Sequence, residues 1–144
     1  MNYEEFLSLM QRHGTLFAPP ATEQSIILAN NALQRMRAAI LPQPIIDFYI
    51  KCGGANLGTG YIFGPMEVAR GTKYPIPSIL QINMDLAGIS RMHGKTIFGR
   101  NDLFWFAFDS FGKYVMLDNL TLNTMRTYDD AYRAMSDCLI AGKI

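Results

Sequence analysis

Cysteine is scarce in this chain, and neither Cys52 nor Cys138 has a CxxC spacing or a histidine pair beside it. Both are expected as buried, reduced thiols rather than as a disulfide or a zinc site. Histidine is equally scarce: His13 and His93 lie far apart, with no ligand at helical spacing, so no metal is expected. Charge is low at 17% of residues, where globular chains average about 25%. The net charge of +1 lacks the basic surplus of a nucleic-acid binder. A surface so short of charge must be covered partly by neutral and apolar groups, which suits a docking partner or a second copy. No apolar run approaches the ~18–20 residues that span a bilayer. The opening Met1-Asn2-Tyr3-Glu4-Glu5 is acidic and lacks the basic and apolar regions of an export signal, so the expected location is cytoplasmic.

What is present is apolar and aromatic, 49% and 12% of 144 residues, enough for one folded domain over residues 1–144 without staples. Tyr3 to Met10 reads as a short helix with Phe6, Leu7 and Met10 on one side, ending near His13-Gly14. Pro19-Pro20 breaks the chain. Thr22 then caps a second helix, and Glu23 complements its positive end. Ile26, Ala29, Leu33, Met36 and Ile40 form its apolar stripe. Leu41-Pro42 stops that stripe, because a residue before proline disfavours helical angles. Pro42 to Cys52 predicts a third helix with Ile45, Ile46, Tyr49 and Ile50 inward and Gly53 as a left-handed cap.

Beyond Gly53-Gly54 the period changes. Gly58, Gly60 and Gly64 frame a short strand at Tyr61-Ile62-Phe63, and residues 65–80 read mostly as loop. Ser78 to Ala87 fits either a short helix or an extended segment. Thr96–Gly99 is a strand, and Phe104–Phe108 is apolar on both faces, as a covered central strand is. Asp109-Ser110-Phe111-Gly112 predicts a tight turn into a strand at Tyr114–Leu117. Thr127-Tyr128-Asp129-Asp130 reads as a capping box for a last helix that buries Ala131, Met135, Cys138 and Leu139. Helices, antiparallel sheet and a closing helix make an α+β domain.

The chain carries few motifs that hold chemistry. The glycines of 54–64 match neither GxGxxG nor GxxxxGK[ST] and precede a strand, so they shape turns rather than hold phosphate. There is no GxSxG, and nothing beside Cys52 lowers its pKa. Asp102, Asp109 and Asp118 pair as acid and base only if their strands are neighbours, and aspartates at strand ends need no catalytic role. Trp105, the one tryptophan, suits core packing. Strand alternation also sets it opposite Phe104, Phe106 and Phe108, where it becomes a partner anchor rimmed by Arg100-Asn101-Asp102.

Four segments in order resemble the SUKH superfamily, which includes yeast cell-wall-synthesis regulators and bacterial immunity proteins. They are Leu41-Pro42 with the apolar helix to Cys52-Gly53-Gly54, and Ile97–Asn101 leading into Trp105–Asp109. The hairpin Asp109–Val115 and the closing Thr127–Tyr132 complete the set. The likeness spans residues 22–140, with Cys52 standing where the family often has asparagine. It implies a curved, mainly antiparallel sheet flanked by helices. It also implies a non-enzymatic immunity protein that neutralises a toxin domain by direct binding, or alternatively a regulator or scaffold binding a host protein. Neither role needs a cofactor, a nucleic acid or a membrane, and the chain is expected as a monomer or weak homodimer. Tyr61, Tyr74, Arg100, Asn101, Asp102 and Trp105 are the expected partner-binding residues, and Gly53, Gly54 and Gly112 shape the fold.

Overall fold

The computed structural model describes residues 1–68 and 76–141. Its first helix, α1 (Tyr3–Arg12), starts where the Asn2 side chain accepts the Glu5 amide, and it buries Phe6 and Met10. A short strand that the sequence did not announce, β1 (Leu16–Phe17), precedes the proline break. Helix α2 (Glu23–Arg35) begins as expected, with the Thr22 hydroxyl accepting the Ser25 amide at 3.1 Å. Its stripe ends sooner than the spacing predicts. Arg37 adopts a left-handed conformation at φ 61°. The Ala38 amide bonds back to the Leu33 carbonyl and the Arg37 amide to Gln34, which together close a Schellman motif. Glycine usually marks that turn; arginine here hides it, and Ile40 is left 54% exposed.

Helix α3 (Gln43–Lys51) follows Pro42 and buries Ile45, Phe48 and Tyr49. Ile46 is only half-buried and Ile50 faces outward, so the expected apolar side is rotated toward Phe48. Gly53 is not the left-handed cap. Cys52 ends the helix in an extended conformation, and the positive φ falls on Gly54 at 139°. Gly53 is small for another reason, since a β-carbon there would stand 2.7 Å from the Pro19 carbonyl oxygen.

Strands β2 (Ala55–Leu57) and β3 (Gly60–Ile62) make a hairpin. The undecided segment is a helix, α4 (Ile79–Leu86), capped by the Ser78 hydroxyl. Strands β4 (Lys95–Arg100), β5 (Phe104–Asp109) and β6 (Tyr114–Asp118) form the expected meander, joined at Asp109–Gly112 by a turn in which Asp109 Oδ1 accepts the Phe111 and Lys113 amides. Thr127 and Tyr128 belong to a further strand, β7 (Thr124–Tyr128), rather than to a capping box. Pairing of Tyr128 with Tyr114 holds them extended, and Asp130 alone caps the last helix α5 (Ala131–Ala141) by accepting the Tyr132 amide.

The sheet runs β1 to β7 in sequence order, every neighbouring pair antiparallel, and does not close into a barrel. Gly99 pairs with both Ile62 and Phe106, so these three share one face. Helix α5 lies on that face: β-carbons at Gly60 and Gly99 would meet Cys138 at 2.8 and 3.2 Å. Phe106, Phe108, Met135 and Leu139 fill the space between as fully buried core. The architecture is α+β, as the order of elements predicts.

At one place a side chain replaces a strand. Past Phe98, whose carbonyl accepts the Phe63 amide, the β4 edge loses its strand partner, and Asn83 of α4 takes over. Its Nδ2 donates to the Ile97 carbonyl at 2.9 Å and its Oδ1 accepts the Ile97 amide at 2.9 Å, all buried. Removing it strands two buried backbone groups, which is costlier than losing one exposed bond. Asn83→Ala is expected to destabilise by about 2–4 kcal/mol and lower Tm by roughly 8–15 °C, measurable by circular dichroism.

Candidate functional site

On the face away from α5, strand pairing assembles a row that no local stretch of sequence contains. Asn56 lies opposite Tyr61, Tyr61 opposite Arg100, Arg100 opposite Trp105, and Trp105 opposite Leu117. Directly opposed side chains on one face stand about 4.5–5.5 Å apart at Cβ. The Arg100 guanidinium lies 5.7 Å from the centre of the Tyr61 ring, in cation–π range. Arg100 is exposed, whereas Tyr61 and Trp105 are half-buried. Among the described residues no carboxylate lies within ion-pair distance of Arg100. The result is a cation bedded on one aromatic ring and flanked by another.

Three of the six expected residues thus come together. Asn101 adjoins them but is buried, with its amide used inside the fold. Its Oδ1 accepts the Leu103 and Phe104 amides and its Nδ2 donates to the Cys138 carbonyl. Asp102 is exposed in the turn after β4, where its carbonyl accepts Asn119 Nδ2 at 2.8 Å. Tyr74 lies outside the described residues.

Sequence reasoning missed two side chains at the same end of the sheet. The β4–β5 and β6–β7 turns are tied together by Asn119, and each is tipped by a leucine, Leu103 at 63% and Leu120 at 88% exposure. An apolar residue inside a polar turn, as in Asp102-Leu103 and Asn119-Leu120-Thr121, is the signal that could have found them. Arg100 and Trp105 thus flank the β4–β5 turn that carries Leu103.

The carboxylates considered for acid–base work have other duties. Asp118 Oδ2 accepts the Leu120 and Thr121 amides and the Thr121 hydroxyl, and these bonds hold its carboxyl below the usual range. Asp109 holds its turn at the far end of β5. Burial pushes both thiols up, Cys138 strongly and Cys52 with partial relief from the Tyr3 hydroxyl and Lys51. Raised thiol pKa means little thiolate at pH 8. Native protein is therefore expected to resist iodoacetamide there, with both cysteines alkylated only after denaturation, as read by intact mass.

No family model matches the chain. Over 92 residues, 64% of its length, it is 27% identical to a 3-aminomethylindole N-methyltransferase of Hordeum vulgare subsp. vulgare. The matched stretch covers 24% of that enzyme's length. This similarity overturns the expectation that the chain is not an enzyme. That expectation rested on missing short motifs and on the family resemblance, and a partial, distant similarity to an enzyme is the finding against it.

Proposed function

We propose that the chain is a protein-binding module, docking a partner through the Tyr61–Arg100–Trp105 face. The single observation behind this reading is the cross-strand row, which gathers an arginine and two large aromatics on a sheet that holds them rigid. Such residues dominate binding energy where a preformed surface meets its partner. The order of the four SUKH-like segments favours one class of partner, a toxin domain neutralised by occlusion in the cytoplasm. Co-expression tests it. Growth in the presence of a toxin encoded beside this chain is expected to be rescued by the native protein and not by Trp105→Ala. Absence of rescue by the native protein rejects the immunity role. A regulatory role toward a host protein predicts instead a deletion phenotype in a toxin-free background.

A second reading, methyl transfer, is favoured by the similarity to a methyltransferase. It predicts transfer of the labelled methyl group of a methyl donor to the amine nitrogen of 3-aminomethylindole, the demethylated donor being released, and the absence of labelled product would reject that substrate.

A further inference from the structure

A second surface lies apart from that face, among the N-terminal helices. Between α2 and α3 runs a groove of about 450 Å³, floored by Ile26, Ile27, Ile46 and Ile50. Ile27 and Ile50 are 50% and 55% exposed, a costly placement for isoleucine beside two other isoleucines. Ile50 also borders an adjoining depression of about 580 Å³ that holds Tyr3, Tyr132, Glu4, Asp47 and Lys51. The two hollows therefore meet along one turn of α3.

The charge around them is in negative excess, three carboxylates against the single ammonium of Lys51 among the lining residues. Glu23 rims the groove, and Glu4 and Asp47 rim the depression. Among the described residues none of these three carboxylates is in an ion pair. Asp47 Oδ1 accepts the neutral Gln43 amide at 2.8 Å. The one cation, Lys51, places its ammonium 4.2 Å from the centre of the Tyr3 ring, and Tyr132 stands edge-on to that ring at 6.1 Å. This aromatic pair already hosts one ammonium and has carboxylates beside it to receive another.

We propose that this surface takes a basic amphipathic helical segment of a partner protein. Its apolar side chains enter the isoleucine groove, and a lysine or arginine one turn away enters the Tyr3–Tyr132 depression. Charge complementarity selects this occupant over an acidic one. The site is independent of the Trp105 face and does not require that reading to hold.

The probe is an amphipathic Leu/Lys helical peptide of about 14 residues, set against its Leu/Glu counterpart. The intact chain is expected to bind the Leu/Lys peptide at least tenfold more tightly, by roughly 1.4 kcal/mol or more. Ile50→Gln is expected to weaken it about tenfold. The pair Glu23→Lys and Asp47→Lys is expected to invert the preference, while Trp105→Ala leaves it unchanged. Glu23, Asp47 and Ile50 are exposed, so an unchanged Tm checks their variants, whereas Trp105→Ala, at a half-buried position, is compared well below its own melting temperature. Equal binding of the two peptides, indifference to Ile50→Gln, or loss in Trp105→Ala overturns the proposal. A dimer in sedimentation equilibrium that Ile50→Gln converts to monomer also overturns it, since the occupant is then a second copy.

Discussion

Replacing Gly54 by alanine is expected to cost the protein about 2–6 kcal/mol of stability. Two costs coincide there. The residue sits at φ 139°, a conformation that side-chain-bearing residues adopt at about 1–3 kcal/mol each. A β-carbon would also stand 2.8 Å from Ile76 Cγ2 and 2.9 Å from the Ile62 carbonyl oxygen. Ile76 is fully buried and Ile62 is paired in the sheet, so neither can retreat freely. Overpacking of a filled core adds about 1–3 kcal/mol. Together these are a large part of the roughly 5–15 kcal/mol that holds a domain folded. Gly112→Ala is the control: φ is 81° but nothing lies within 4 Å of its β-carbon, so only the backbone term remains. Urea unfolding should show Gly54→Ala losing at least twice as much as Gly112→Ala. Equal losses would mean that the close approach to Ile76 and Ile62 costs nothing.

Trp105→Ala is expected to have the largest effect on partner binding, at least ~2 kcal/mol or about 30-fold in Kd. The ring stands between exposed Arg100 on one strand and buried Leu117 on the next, so the fold already desolvates one side of it and presents the other as a preformed anchor. Arg100→Ala removes the guanidinium and its contact with Tyr61 and should cost less. Because Trp105 is half-buried and packs against the core, alanine there also destabilises, and a melting curve must accompany each affinity. Leu120→Ser provides the opposite case. At 88% exposure it should leave Tm unchanged, so any loss of binding is lost contact.

The local signals in the sequence carried over to the structure where chemistry and geometry are both local. Thr22 caps α2, Asp109 and Gly112 close the β5–β6 turn, and the spacing of Ala131, Met135, Cys138 and Leu139 predicts the buried side of α5. The failures share a cause as well. The helix-ending turn at Arg37 carries no glycine, and β1, β2 and β7 are too short or too polar for a period to show. In β7 only Tyr128 is buried. The capping-box pattern at Thr127 lost to strand pairing, a tertiary contact that sequence spacing does not contain.

The candidate site was half legible for the same reason. Residue type singled out Tyr61, Arg100 and Trp105 separately, but their alignment depends on β3 pairing with β4 across a long intervening segment. Asn101 looked like surface because its residue type is polar. The fold uses that polarity inward, to satisfy the turn into β5 and a carbonyl of α5. The expectation that the chain is not an enzyme failed differently, because short motifs occupy a few positions whereas the partial similarity to a methyltransferase is spread over 92 residues.

The central claim is that a protein partner docks on the Tyr61–Arg100–Trp105 face, and a differential pull-down tests it most directly. Tagged native chain and the double variant Arg100→Ala, Trp105→Ala, both verified as folded, would be exposed to the same source-cell extract and read by mass spectrometry. One stoichiometric partner with a toxin-like domain is expected on the native chain and is expected to be lost from the variant. The same partner retained equally by both would contradict it and place the binding surface elsewhere on the molecule.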